Sequence, residues 1–456
     1  MAEKYIISID QSTQGTKALL LDAKANILRR EDICHRQIVS DEGWVSHDAK
    51  EIYENTIAVV RRLVEQSQIA PENVCGVGIS NQRETCLAWN KMTGQPIADA
   101  IVWQCSRAKD ICARLEEQGI GEMIEDRTGL KLSPYFPASK LSWLLEYVEG
   151  AKELAQSGQL CMGTMDAWLV YCLTGKNEYK TDYSNASRTQ LFNIHTLEWD
   201  TEICGLFGID AALYAQGCLK PGMTKATYGT GSSIMMNTGE TAIKSTHGVV
   251  TSLAWKIEGK VNYVLEGNIN YTGAVITWLK NDVKLISSPG ETETLCEIAA
   301  QDDELYLVPA FSGLGAPYWN SQAKGILSGI TRTTGREEIV RAGVESIAYQ
   351  IADVVDAMSQ DAGMSARKLR VDGGPTRNAY LMQFQSDILN ADVDVSKAEE
   401  MSALGAAYVA GIAMGLYDKG IAKRMERTTY LPQMEPERRK KKRDGWIAAV
   451  GQCTGK

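Results

Sequence analysis

An α/β protein made of two similar domains is the fold that this 456-residue sequence predicts, on three observations. The chain opens with two apolar runs, Tyr5–Ile9 and Ala18–Leu21, around a polar turn, Asp10–Lys17, which is a β-hairpin pattern. Continuous Ile and Leu runs of this kind suit strands covered on both faces. About half a chain later, Lys225–Glu240 repeats the design, with a Gly/Thr/Ser turn at Gly229–Ser233 between a short run and an apolar run. After the first hairpin come further strand, an amphipathic helix and another strand, the order of a sheet with helices on its faces.

The elements follow in order. Residues 25–38 read as strand, and residues 48–70 as a helix, with Ile52, Ile57, Val60, Leu63 and Val64 at helical spacing and Pro71 behind it. Residues 74–80 read as a buried strand that runs into Asn81-Gln82-Arg83-Glu84-Thr85. Residues 100–103 read as strand, and residues 104–107 open a helix. Pro134 and Pro137 break the chain before a helix over 139–148, and residues 163–173 are a strand end leading into a helix that Gly175 stops. Residues 182–187 read as a polar loop. In the second half, residues 261–270 lead as a strand into a helix from Tyr271. Residues 305–309 are strand, 311–320 a Gly/Pro loop and 336–358 a long helix. Residues 369–375 are a strand, a Gly pair and a Pro at the first turn of a helix over 379–389. Residues 402–416, rich in Ala and Gly, read as a buried helix.

The bulk numbers narrow the class. A net charge of −9 argues against nucleic acid as the main partner, and the basic run at residues 438–443 reads as a solvated helix face or tail. Eleven scattered Cys without a CxxC pair suit reduced thiols in a cytoplasmic protein. The four His, at 35, 47, 195 and 247, lack metal-ligand spacing, and no apolar run is long enough to span a bilayer. The N-terminus enters a strand directly, without the pattern of a signal peptide.

Four features carry chemistry. The first hairpin tip offers backbone N–H groups and hydroxyls to phosphate oxygens, and Asp10 to a hydrated Mg²⁺; an ordinary hairpin turn reads the same way in isolation. Arg83 and Glu84, past the end of a strand, offer the paired donors and acceptor that a polyhydroxylated substrate needs, or a surface ion pair. Trp103 is a sugar-stacking platform or core. The Gly373-Gly374 backbone and the helix after it would admit a flat adenine or a phosphate, and equally make a tight strand–helix turn.

Several long stretches, in order along almost the whole chain, resemble the FGGY family of carbohydrate kinases and within it the glycerol kinase branch. They include Asp10-Gln11-Ser12-Thr13, residues 43–48, 81–85 and 100–104, Tyr135–Trp143, residues 181–193, Tyr228-Gly229-Thr230-Gly231, Phe311–Trp319, residues 325–345 and Asp372-Gly373-Gly374. The resemblance implies two actin-like (ribonuclease H-like) domains with a nucleotide cleft between them, divided as residues 1–212 and 213–456. It implies phosphoryl transfer from MgATP to a terminal hydroxyl of a polyol or sugar, and a possible homo-oligomer. By position, Arg83, Glu84, Trp103 and Tyr135 would hold the substrate. Thr13, Lys17, Thr230, Gly231 and Gly273 would hold phosphates, Gly374 and Asn378 the adenosine, and Asp10 the Mg²⁺.

The sequence departs from the family's pattern in four places. The family's catalytic Asp lies in a Gly-Asp motif followed by two polar residues and Ala-Ala-Leu; here Gly208-Ile209-Asp210-Ala211-Ala212-Leu213 runs straight toward the second phosphate turn. Asp210 is the candidate base, or it belongs to the upstream helix and the base lies in a segment that this chain lacks. Ser12 replaces a Gly in the first turn, and Lys17 replaces an Arg. Ser233 stands where glycerol kinases have an aromatic residue, which points to a substrate longer than glycerol, such as a tetritol, a pentitol or a ketose. Beside a glycerol kinase-like enzyme stand a tetritol kinase or xylulokinase-type enzyme, a non-catalytic actin-like nucleotide binder, and an actin-type filament former. The polyol-side residues count against the last.

Overall fold

The computed structural model describes residues 3–207, 209, 224–229, 231–257, 260–300, 304–397, 400–418, 420–421 and 425–455. It divides into two compact units: Met1–Lys220 with Ser252–Asn262 and Glu400–Arg424, and Pro221–Thr251 with Tyr263–Glu399 and Met425–Lys456.

In the first unit the opening hairpin is present, Tyr5–Gln11 pairing antiparallel with Gly15–Leu21. The strand Ile27–Cys34 extends the sheet on one side, and Val74–Asn81 lies parallel to Tyr5–Gln11 on the other. Both faces of this sheet are covered. The helix Ala49–Ser67 starts where the Asp48 carboxylate accepts the N–H groups of Lys50 and Glu51, and ends at Gln68 in the left-handed region. Its Val59 and Leu63 pack on Ile7, Ile9 and Leu20. On the other face lies the helix Met401–Ala413, so close that a Cβ on Gly78 would sit 2.3 Å from the Ala406 carbonyl oxygen. A second sheet of five short strands (38–39, 45–47, 100–101, 86–90 and 160–164) carries its own core under the helices Lys109–Glu117 and Pro137–Tyr147.

The second unit repeats the sheet logic. Thr224–Tyr228 pairs antiparallel with Ser232–Gly239, which pairs antiparallel with Lys260–Ile269; Lys368–Asp372 lies parallel to Thr224–Tyr228 on the other side. Asp392–Ser396 and Arg427–Tyr430 extend this sheet beyond Lys368–Asp372. In both units, then, a strand enters a polar turn, returns as its antiparallel neighbour and receives a parallel strand on its free side. The long helix Arg336–Ala362 is the spine of this unit, burying Val344, Ile347, Ile351, Val354 and Met358 in a core shared with Ile234, Leu265, Leu369 and Val393.

Several local expectations are corrected. Val74–Asn81 is an edge strand of its sheet, with Val77 half exposed, because its glycines turn to the helix while Val77 faces away. Residues 182–187 hold a short helix, Tyr183–Ala186, which Asp182 caps. The strand at residue 100 stops at Ile101, and the helix after it begins only at Lys109. Met401–Ala413 buries one face, through Ala403, Leu404, Ala407 and Gly411, and exposes Val409. The basic run is no purely solvated face: Lys442 and Arg443 turn inward to Glu345 and Asp353 on the long helix. His35 and His47, distant in sequence, meet edge to face at 4.7 Å.

Candidate active site

The first turn sits at the end of two buried strands, and side chains from three other segments hold it. Asp10, nearly buried, faces Lys17 across the hairpin and Ser80 in the parallel strand. The turn closes through Ser12 N–H to the Gly15 carbonyl at 2.9 Å. Gly15 has no room for a side chain, since a Cβ would lie 2.7 Å from the Ile33 carbonyl oxygen. The Thr13 carbonyl oxygen lies 3.1 Å from His35 Nε2, and because a carbonyl only accepts, Nε2 carries the ring proton. Burial, and then the neighbouring His47, push the His35 pKa down to about 4, so the ring is neutral at pH 7. The Thr13 hydroxyl accepts the Trp103 indole N–H at 3.1 Å.

That last bond joins the first turn to the Trp103–Tyr135 pair. Gln82 Nε2 reaches Gln11 Oε1 at 3.2 Å, its Oε1 accepts from the Thr85 hydroxyl at 2.9 Å, and that hydroxyl accepts Trp103 N–H at 3.3 Å. Trp103 and Tyr135 pack ring to ring with centroids 5.6 Å apart. Thr13, Trp103 and Tyr135 are therefore in direct sequence of contact, with Arg83 and Glu84 in the turn between Gln82 and Thr85. Glu84 has φ +60°, a conformation that costs a non-glycine residue about 1–3 kcal/mol and concentrates at functional sites.

Two residues that sequence reasoning missed hold this arrangement. Arg188 is fully buried, its Nε donating to Glu84 Oε1 at 2.5 Å, its Nη1 to Ser252 Oγ at 3.0 Å, with the guanidinium 5.1 Å from the Phe136 ring centre. Lys140, also fully buried, donates to the backbone carbonyls of Tyr135 and Trp103. Both lie inside stretches that carry the family resemblance, but nothing in one sequence says that their side chains turn inward. Lys17 is engaged by Glu400 at 2.9 Å, whose other oxygen meets Arg30 at 2.7 Å. Asp166 is a further buried carboxyl, bonded to the hydroxyl of Thr181 at 2.5 Å and pushed up to about 6 by burial and then by Asp182.

In the second unit, Gly229, Gly231 and Gly273 come together. Gly229 N–H donates to the Gly231 carbonyl, and Gly273 N–H to the Gly229 carbonyl, at 2.8 and 2.9 Å. A Cβ on Gly231 would fall 2.3 Å from the Ile269 carbonyl oxygen. Gly273 begins the helix Gly273–Asn281, whose first N–H groups are the kind that face anions. Ser233 Oγ donates to the buried Glu266 at 3.3 Å. Gly373, at φ +103°, is wedged against the Tyr228 carbonyl oxygen, whereas a Cβ on Gly374 would meet open space. Asn378 caps the helix Ala379–Leu389, its Oδ1 accepting from Leu381 N–H and its Nδ2 donating to Thr292. Asp210 and Thr230 lie outside the described residues.

With this geometry in hand, the comparisons with known proteins are direct. Residues 5–231 match the N-terminal domain of the FGGY family of carbohydrate kinases and residues 224–414 its C-terminal domain. The chain is 44% identical to glycerol kinase 2 of Thermotoga maritima, over 99% of each chain, and 42% identical to a glycerol kinase of a Geobacillus strain, over 98% of each. The first of these alignments runs over 492 residues against 456 in this chain, so at least 36 of its positions have no residue here. Among solved structures, Plasmodium falciparum glycerol kinase with ADP superposes with a TM-score of 0.89 at 33% identity, covering 99% of this chain and 98% of that one. The xylulose kinase of Lactobacillus acidophilus shares the fold at TM-score 0.84 and 20% identity, over 98% and 97%. Two family domains in succession, relatives aligned from end to end and a common fold together make this chain a member of the FGGY family of carbohydrate kinases, which are phosphotransferases.

Proposed function

We propose that this carbohydrate kinase transfers the terminal phosphoryl group of ATP to a terminal hydroxyl of a small polyol, glycerol or a longer homologue. The observation that carries the reading is the joined array of the first unit: Thr13 at the phosphate-type turn, hydrogen-bonded to Trp103, which packs on Tyr135 beside the Arg83-Glu84 turn. Phosphoryl transfer asks mainly for positioning and for charge stabilisation. Arg83 and Glu84 bind hydroxyls, Trp103 and Tyr135 wall the carbon chain, and Thr13 and Lys17 meet phosphate oxygens. The Gly229–Gly231 turn with Thr230, and the helix at Gly273, supply backbone N–H groups to phosphate. Gly374, with open space above it, and Asn378 take the adenosine. The Asp10 carboxylate, at a strand end beside the turn, is the hard oxygen donor that suits Mg²⁺, which when bound would neutralise phosphate charge. We keep the division of labour near residues 212/213, polyol before it and adenosine after it.

The base accepts the proton of the attacking hydroxyl. Asp210 is the candidate in this chain, and the positions that the relatives have and this chain lacks are the alternative source. All ten described cysteines are free thiols, which supports a reducing, cytoplasmic setting; no described helix is long and apolar enough to cross a membrane. A net charge of −9 argues against nucleic acid as the main partner, and sedimentation tests for the homo-oligomer that the family resemblance implies.

The test is coupled ADP formation with glycerol, erythritol, xylitol and xylulose as acceptors. The expected result is ADP release that depends on an added acceptor, at least one longer acceptor matching or exceeding glycerol because of Ser233. Glycerol outperforming every longer acceptor removes the longer-substrate reading of Ser233, and no dependence on any acceptor removes the whole reading. Asp210→Asn should abolish turnover; full activity in that variant would assign the base elsewhere.

A further inference from the structure

Lys140 is a charged side chain in a place where charge is expensive. It sits in the first turns of the helix Pro137–Tyr147 with no exposed surface, and burial pushes its pKa down to about 8. An ammonium has three donors and no acceptor, so burying it requires oxygen partners. Among the described residues it has two hydrogen-bond partners, both backbone carbonyls: that of Tyr135, five residues earlier in the Pro134–Pro137 turn, and that of Trp103, 3.4 Å away past the end of the strand Ala100–Ile101. These belong to the two aromatic residues whose rings pack 5.6 Å apart. No carboxylate lies within ion-pair distance of Lys140 among the described residues, while Glu84, close enough to be felt electrostatically, is already engaged by Arg188.

A helix buried on this face needs no ammonium for its own stability. Ala138, Leu141, Leu144 and Leu145 already supply its apolar contacts. What the ammonium does that methionine would not is tie two loop carbonyls, 32 residues apart in sequence, to one point. Loop backbone is otherwise the least constrained part of such a wall.

We propose that Lys140 is a positioning residue: its buried ammonium clamps the backbones of Trp103 and Tyr135 and so sets the distance between the two rings that receive the polyol. The inference rests on the reading of those rings as the polyol wall. Without the clamp the rings remain but their spacing drifts, so acceptor binding weakens more than nucleotide binding, which Trp103 touches only through its indole N–H to Thr13.

The experiment compares Lys140→Met, Lys140→Gln and Trp103→Ala with the wild-type enzyme in KM for glycerol, KM for ATP, kcat and melting midpoint. Lys140→Met should fold and raise the glycerol KM roughly tenfold, the scale set by leaving a buried carbonyl unsatisfied, with a clearly smaller rise in the ATP KM, through the indole N–H that Trp103 gives Thr13. Lys140→Gln, whose amide N–H groups reach part of the way, should fall between. A glycerol KM within about twofold of wild type in Lys140→Met, or equal rises for glycerol and ATP, overturns the proposal. So does failure of both variants to fold, since Lys140 would then be a core residue. If Trp103→Ala leaves the glycerol KM unchanged, the aromatic wall itself has been misread, and that outcome is distinct from a failure of the clamp.

Discussion

Removing the Arg188 guanidinium should damage stability and acceptor binding together. In Arg188→Met, the Glu84 carboxylate keeps its buried position, only 4% exposed, but loses the charge-assisted bond at 2.5 Å. Breaking one side of a buried pair costs about 3–5 kcal/mol, far more than an exposed pair would. At ~2–4 °C per kcal/mol for a unit of roughly 250 residues, the melting midpoint of the first unit should fall by about 6–20 °C. The strain at φ +60° adds to the effect, because Arg188 is part of what holds Glu84 in that conformation. Scanning calorimetry reads the first transition, and steady-state kinetics read the glycerol KM, which should rise at least tenfold. The discriminating variant is Glu84→Gln with Arg188→Met, which removes the orphaned charge. It should recover most of the lost stability without recovering the KM. A single variant that melts within about 2 °C of wild type, or a double variant no more stable than the single one, would refute the reasoning.

Three further outcomes follow from the same structure. His35, with a pKa of about 4 in the folded chain against 6.5 unfolded, favours the unfolded state as it takes up protons; the stability it contributes at pH 7 is lost as pH falls from about 6.5 to 4, an effect of ~3 kcal/mol to which His47 adds in the same direction. His35→Gln should therefore show a shallower loss of melting midpoint between pH 7 and 5, and an unchanged slope would dismiss the ring as the cause. Trp103→Phe keeps the packing on Tyr135 but removes the indole N–H that Thr13 accepts; a loss of about 0.5–1.5 kcal/mol should show as a roughly 2- to 12-fold rise in the ATP KM, and no rise would mean that the bond does not position the turn. In Lys442→Met, Glu345 keeps the Tyr380 hydroxyl and Arg341 but loses Lys442 at 3.1 Å, so the second unit should be destabilised by roughly 3 kcal/mol with the glycerol KM unchanged; a denaturation midpoint equal to wild type would count the pair as neutral.

The sequence by itself determined what depends on neighbours in the chain. Apolar runs around a polar turn specify a hairpin because side chains alternate and turn residues cannot continue a strand, and both hairpins stand where their runs are. The helix Ala49–Ser67, and the strand, Gly pair and helix from Lys368 to Leu389, were legible for the same local reason. Long ordered motifs made the family legible as well, since each stretch is contiguous.

Tertiary structure alone decided which side chains turn inward and what they meet. The basic run reads as solvated because charge is usually left in water, yet its inner face meets carboxylates contributed by a helix some ninety residues away, which no local pattern encodes. Arg188 and Lys140 went unnoticed for the same reason: a buried cation is tolerable only when distant oxygens converge on it, and that convergence arises only once the chain has folded. The meeting of Thr13 with Trp103, ninety residues apart, is the strongest case, because it makes one array of two motifs that the sequence presents separately.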